Sequence, residues 1–550
     1  HGETTFAASE DAGKLRDALG IMPPSGLADA FLEPVEEALI SLTSQYARTH
    51  GPFTAQEVAT KLGLGVAPIL SALSVLEERE RIVGGEFLPG RHGQEWCDVN
   101  VLRQLKRRSL AALRKEVEPV EPDALARFLP DWHGITRPRK GLDGLLDVIE
   151  QLQGAPLPAS TLEKEILPAR ITGYRSADLD ELCVQGEVIW RGFDSTSGND
   201  GRIGLFLTDH YATLAPFVEP VDDAVADELR TLLATSGALF FHQITDAIRQ
   251  FPNDLLHLLW RMVWSGELTN DTLTPLRSLR TAAATKNRSD RRAQRGFRSR
   301  RQNKLPGSEG RWTLLPKLAL PIASDSAAPK AVAAHLPSVT ERQMAIANQL
   351  IERHGVLTKE MLSREEVVGG FSGLYPILKA MEEAGKVRRG YFVAGLGAAQ
   401  FAAPGAEDQL RRFRDIEESE PAAKPLVLAA TDPAVPWGNA LSWPESTEQG
   451  RQQRVADAKV IVWQGQLIGY LNRTREHLTT FLPVDEVHQA DVIQNLVNVL
   501  ARLANPGRSM LLSKIDGKAA GRSKFKPFLL EVGFQVTSKG LLHTGRVVNP

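Results

Sequence analysis

The residues with the plainest chemical potential in this sequence are cationic, and they come in runs. Residues 281–311 hold ten Lys and Arg against two acidic residues, with Arg291, Arg292, Arg295, Arg298, Arg300 and Arg301 at the centre and one aromatic, Phe297. No hydrophobic period runs through them, so the stretch reads as a loop or unfolded arm. Such an arm suits phosphate contact without sequence readout. A second run, Arg103, Lys106, Arg107, Arg108, Arg114 and Lys115, lies on a helical pattern with Leu102, Leu105, Leu110, Leu113 and Val117 as its apolar stripe. Lys386, Arg388 and Arg389 precede Tyr391, and Lys514, Lys518, Arg522, Lys524 and Lys526 cross a Gly-Lys-Ala-Ala-Gly turn. Each run also has a bland reading, as a solvated insertion or a linker helix. Over the whole chain 65 Lys and Arg face 67 Asp and Glu, so a uniformly basic coat is excluded and only local patches remain.

Motifs for phosphate, metal or nucleophile chemistry are missing. The three Gly-Lys pairs, at Gly13, Gly385 and Gly517, are not followed by Ser or Thr, so no phosphate loop is present. There is no HExxH, paired CxxC or GxSxG. Asp485-Glu486-Val487-His488 has the spelling of a DExH box, but it opens an apolar helical pattern (Val492, Leu496, Val499, Leu500) and reads as an acidic first helical turn. Two cysteines, Cys97 and Cys183, cannot staple 550 residues, and their scarcity fits a reducing, cytoplasmic setting. No apolar run reaches membrane-spanning length, so no membrane partner is expected. His1 is not a natural start, and the chain reads as part of a longer protein.

Positioning elements come from an internal repeat of about one hundred residues. The heptapeptides Leu76–Ile82, Leu182–Val188, Met262–Leu268 and Met381–Val387 align without gaps, usually with Gly fifth and a strand-forming residue seventh. Gly there fits a helix C-cap, so each unit reads as helix, stop, strand. Upstream, His50-Gly-Pro-Phe-Thr54 resembles His354-Gly-Val-Leu-Thr358, each Thr a candidate N-cap. Three helices followed by a small β-ribbon is the winged-helix form of helix-turn-helix. In the first unit the ribbon is expected from Ile82 to Leu88 around Gly84-Gly85.

The expected fold is therefore α+β and mainly helical: tandem winged-helix modules, then a C-terminal β-barrel-like module. The boundaries expected are an N-terminal segment over 1–32, winged helices over 33–120 (with the basic linker helix), 121–220, 221–335 (with the insertion 281–311) and 336–422, and the terminal module over 423–550. Val460–Trp463 and Leu467–Leu471 predict a hairpin in that last module. Winged helices either read a DNA groove or serve as scaffold. The helix 66–78 carries no Lys or Arg, and Asp178, Asp180 and Glu181 make its counterpart acidic. Both features argue against groove reading, which needs cationic or amide side chains at base edges.

The stretch Trp96-Cys-Asp-Val-Asn100 through Arg107-Arg-Ser-Leu-Ala-Ala-Leu-Arg-Lys-Glu-Val-Glu-Pro-Val120, then Phe128-Leu-Pro-Asp-Trp-His-Gly134, resembles the Lhr family of bacterial large helicase-related proteins. So do His50-Gly-Pro-Phe-Thr54 and Asp432-Pro433 with Trp437-Gly-Asn-Ala-Leu-Ser-Trp-Pro444. The resemblance implies the C-terminal extension of an ATP-dependent 3′–5′ DNA repair helicase whose motor core, with its ATP and Mg, is absent from this stretch. It implies single-stranded DNA or RNA:DNA hybrid as partner and self-assembly, plausibly into a tetramer, with no cofactor in this region.

The row of modules is also similar to the AlkZ family of DNA glycosylases, which implies a runner-up activity, removal of a deaminated or alkylated base. Its carboxylate candidates in the terminal module are Asp432, Asp485 and Asp516, which spacing does not distinguish. The AlkZ-type Gln-x-Gln element has a lookalike in Gln464-Gly465-Gln466, which the central Gly makes more readily a hairpin turn.

Overall fold

A computed structural model describes residues 7–88, 93–196, 200–289, 305–316, 337–363, 365, 367–397, 399–414, 424–445, 452–483, 485–504 and 509–545, without the side chains of 109–117, 283–289 and 487. The chain divides into two compact units, His1–Glu118 and Pro119–Pro550.

The first unit holds one winged helix. Thr54 opens the helix Ala55–Leu62 with a capping box: its Oγ1 accepts from the Glu57 amide at 3.2 Å, and Glu57 Oε2 accepts from the Thr54 amide at 2.9 Å. Gly63, at φ 68°, ends that helix and turns the chain into Val66–Glu78. Together with Ala38–Thr49 these helices bury Ala47, Val58, Ile69, Leu73 and Leu76 against Phe53 and Trp96. The wing differs from the expected ribbon. Ile82–Gly85 pairs antiparallel with Glu95–Asp98, Ile82 opposite Asp98 and Gly85 opposite Glu95. Gly84 lies inside the strand and not at a turn, with the side-chain ends of Gln94 and Glu77 close over it, at 2.6 and 2.9 Å from where a Cβ would stand. The basic linker helix follows as Val99–Val117.

The second unit contains three further winged helices and a terminal module, interlocked rather than strung out. In the second winged helix, Val188–Thr196 and Asp200–Leu207 form a long hairpin, joined on its other edge by Leu157–Pro158. Gly192 and Gly201 let that hairpin lie on Val263 and Trp264 of the next module, where any Cβ would collide. One core, from Leu145 through Trp190 to Trp312, therefore serves both modules. In the third, Leu268–Asn270 pairs with Arg311–Leu314, so its wing is split by the helix Thr274–Ser289 and the segment after it. The fourth, from Val339–His354 to Gln400–Ala402, takes the helix Pro122–Trp132 into its core through Leu125, Phe128 and Leu129.

The terminal module carries a six-stranded sheet in the order Leu426–Ala429, Lys459–Trp463, Gln466–Leu471, His477–Thr480, Lys514–Ile515, Lys518–Ala519. A second sheet of three short strands stands apart. Among the described residues no barrel closes. The six-stranded sheet has no need of closure, because both faces are already covered. Ile461, Leu471 and Leu478 pack on the helix Glu486–Ala504 through Leu496 and Leu500, while Val460, Val462 and Tyr470 pack against Ala126, Val435 and Trp437. No single described helix is long and apolar enough to cross a membrane.

Candidate functional site

All four modules of the second unit converge on a cleft of about 890 Å³. Ser160 and Lys164 come from the second winged helix, Arg277 and Arg280 from the helix in the split wing, His354 and Glu365 from the fourth module, and Thr431, Asn439, Arg454 and Arg473 from the terminal one. A cleft walled by residues more than 300 apart in sequence needs a rigid frame, and buried ion pairs supply it. Arg170, fully buried, makes a two-pronged pair with Asp432 at 2.7 and 2.8 Å. Arg277 ties Glu163 at 2.7 Å to Asp180 at 2.5 Å, so the acidic helix of the second module is bonded to the third instead of facing a groove. Arg454 donates to the carbonyls of Asp432 and Val435 at 2.9 and 2.7 Å.

At one end of the cleft, His354 and Arg353 converge on Glu365. His354 Nε2 lies 2.9 Å from Glu365 Oε1, and Arg353 pairs with Oε2. Burial pushes the Glu365 carboxyl up, but the Arg353 charge and the His354 hydrogen bond outweigh it and hold the group down at about 2. His133, near the same cluster, is driven well below the usual imidazole range by burial and by the charge of Arg170, and so stays neutral.

Four residues of the cleft wall each also carry a fully buried polar atom with no partner among the described residues: Ser160 Oγ, His354 Nδ1, Thr431 Oγ1 and Asn439 Oδ1. Arg280 and Arg473 also line the cleft, and neither makes an ion pair among the described residues. The cleft is thus lined by polar and cationic side chains from every module of the second unit. Among the described residues no cluster of His, Cys, Asp and Glu fits a metal ion.

The residues singled out from sequence lie elsewhere. Asp432 is consumed by Arg170 and by the Ala434 amide at 2.8 Å. Asp485 sits exposed at the start of Glu486–Ala504, paired with His488, which fits the acidic-turn reading of the DExH spelling. Asp516, at φ 49°, accepts from Thr480 N and Oγ1 at 2.7 and 2.8 Å and fixes a turn. None of the three lines the cleft. Gln464 and Gly465, at φ 51° and 77°, form a hairpin tip that packs on Pro122–Trp132, where Arg127 Nε donates to Gln464 O at 2.8 Å. Arg103, Arg107 and Arg108 are exposed on the linker helix. Lys386 is exposed, but Arg388 is paired with Glu407 and Arg389 with Glu382, leaving that wing less electropositive than its sequence. Lys524 is exposed 3.4 Å from Gln489, and Lys526 is half-buried. Arg291, Arg292, Arg295, Arg298, Arg300 and Arg301 lie outside the described residues.

Tandem winged helices interlocked around a polar cleft and closed by an open-sheet module define a multi-module winged-helix protein. The winged-helix domain of the large helicase-related protein family matches at residues 1–34, 120–208 and 337–422. Two curated relatives align with 98% of the chain: "Lhr helicase/ probable uracil glycosylase" of Mycolicibacterium smegmatis at 38% identity and "Lhr helicase/uracil glycosylase" of Escherichia coli at 31%. The chain belongs to the large helicase-related (Lhr) family and corresponds to its C-terminal region. It spans 36% of the length of each of those relatives. A solved structure, the DNA glycosylase AlkZ of Streptomyces sahachiroi, overlaps 72% of the chain and all of its own length at 14% identity and a TM-score of 0.41.

Proposed function

We propose that this chain is the DNA-engaging, base-removing region of an Lhr protein, and that its cleft receives one nucleotide turned out of the strand and hydrolyses its bond to uracil. The observation that carries the reading is a cleft of about 890 Å³ lined by Ser160, Thr431 and Asn439 together with Arg280 and Arg473. A base must leave the stack before its glycosidic bond can be reached, and such a site then holds it by its edge. The printed names of both curated relatives supply uracil as the base. Arg103, Arg107, Arg108 and Lys386 suit backbone contact along single-stranded DNA or an RNA:DNA hybrid. Helicase activity, with its ATP and Mg²⁺, belongs in this reading to parts of the relatives that the chain does not span, and the setting is the bacterial cytoplasm.

The test uses a labelled oligonucleotide with a single uracil, incubated with the full chain and treated with alkali. Strand breakage at uracil and not at thymine is expected, reduced at least tenfold by Arg280→Ala with Arg473→Ala. No breakage with either single- or double-stranded substrate overturns the reading.

Self-association is the second part of the proposal. Phe251 is 77% exposed and Phe240 46%, on either side of the helix Phe241–Ala247, a costly arrangement for a surface that faces only water. The expected result is a solution mass above the 60.3 kDa of one chain at micromolar protein, falling toward it on Phe251→Ser. A monomer at every concentration overturns this part.

A further inference from the structure

We infer that Asp457 is the carboxylate that takes the proton of the hydrolytic water, an inference that rests on the excision reading above. Four carboxylates line the cleft, and three of them are already engaged. Glu163 is tied to Arg277 at 2.7 and 2.9 Å and accepts from the Tyr174 hydroxyl at 3.1 Å. Asp200 accepts from the Ser160 amide at 3.1 Å. Glu365 is held between Arg353 and His354. Asp457 makes no hydrogen bond or ion pair among the described residues, and it is only half-buried, so it keeps surface open to the cleft. The cations near it do not take it up. Lys459 is committed to Glu165 at 2.9 Å and Arg454 to the Asp432 and Val435 carbonyls, while Arg473 lines the same cleft without pairing with it.

The backbone marks the same residue. The Ala458 amide donates to the Val455 carbonyl at 3.3 Å and closes a four-residue turn. Asp457 is the third residue of that turn, at φ 66°, where glycine or asparagine is favoured. Of the six described residues other than glycine with positive φ, it is the only one on the cleft. A side chain kept at such a position, with no bond that the turn needs, points to a use outside the turn. The turn is also fixed in place. Arg454 through Asp457 all line the cleft, the Ala458 carbonyl accepts from the Ala430 amide at 2.9 Å, and the strand Lys459–Trp463 that follows is paired on both sides.

In the reaction the water oxygen forms a bond to C1′ as the C1′–N1 bond breaks, and N1 leaves with the electron pair as the uracil anion. The water proton passes to the Asp457 carboxylate and from there to solvent. The products are an abasic site and uracil, which takes its proton from solvent. Positive charge builds on the sugar as the bond breaks, and a carboxylate beside it favours that charge. General-base assistance of this kind contributes about 10²–10⁴-fold.

The experiment measures single-turnover uracil release, DNA affinity and melting temperature for the full chain and for Asp457→Asn, which keeps the shape and suits the left-handed backbone but removes the carboxylate. The expected result is a rate at least about 100-fold lower, with DNA bound as tightly or more tightly and an unchanged melting temperature. A smaller fall in rate overturns the assignment and leaves excision intact. A fall that comes with a lower melting temperature or weaker DNA binding marks a structural role and also overturns it. A wild-type chain that binds DNA but releases no uracil overturns both the assignment and the excision reading. Should Asp457→Asn fail to fold, Asp457→Gly, which glycine's freedom at positive φ favours, is judged by the same limits.

Discussion

The first and fourth winged helices share a turn, His-Gly-x-x-Thr, and put it to different uses. In the first, His50 is exposed and stacks flat on Tyr46, with ring centroids 3.8 Å apart and planes 7° from parallel. In the fourth, His354 is buried in the wall of a cleft and bonded to Glu365. The threonines behave alike, since Thr54 and Thr358 each cap the next helix. The shared motif thus sets the backbone, while chemistry comes from what packs around it. Two carriers of that difference are Glu365, where His50 has instead the Thr49 hydroxyl and the Tyr46 carbonyl, and the helix Pro122–Trp132, which presses on the fourth turn.

The strongest way to break the contrast is to remove the carboxylate. Glu365→Gln leaves Arg353 buried without an anion, and losing one partner of a buried pair costs about 3–5 kcal/mol. His50→Ala, which trims an exposed ring, should cost about 0.5 kcal/mol or less. Chemical unfolding of the full chain, followed by hydrogen exchange in each unit, separates the two effects. The pH dependence is a second mark of the same group. The Glu365 carboxyl is held near 2, below its ordinary 4.5, so its contribution is complete above 4.5 and is lost as the pH falls from there toward 2. The gap between wild type and Glu365→Gln should therefore be constant at neutral pH and shrink through that acid window. A gap that stays constant down to pH 2 would show that Arg353 is neutralised some other way.

The repeat was legible because local rules write it. A helix that stops and becomes a strand needs a left-handed residue, and Gly186, Gly266 and Gly385 sit there at φ 81°, 82° and 71°. Pairing of the hairpin Lys459–Trp463 with Gln466–Leu471 was legible for the same reason. The cleft was not, since Ser160, His354 and Asn439 each look like surface polar residues until four modules bring them together. Asp432 misled in the opposite sense: nothing near it in sequence announces Arg170, 262 residues away, which takes up its lone pairs. A closed barrel is not seen among the described residues, and strand patterning could not have decided the point, because it reports only which residues are extended and apolar. It does not report that a helix and a neighbouring module will cover both faces of the sheet.

The smallest effect is also the cleanest test of how the modules compare. At the position where the other three have glycine, the first winged helix has Glu80, and it adopts the same left-handed backbone at φ 54°. An L-residue there carries a cost of about 1–2 kcal/mol that glycine avoids, partly offset by the larger entropy glycine loses on folding. The Glu80 amide still bonds to the Glu77 carbonyl at 2.9 Å and the Arg81 amide to the Leu76 carbonyl at 2.9 Å, so the helix end is made in full despite that cost. Glu80→Gly should therefore stabilise the first unit by up to about 1 kcal/mol, read as slower hydrogen exchange in Val66–Glu78 with the second unit unchanged. The reverse change at Gly385 should destabilise the fourth module by a similar amount. If Glu80→Gly destabilises instead, the first module's stop is held by something other than the backbone conformation it shares with the rest.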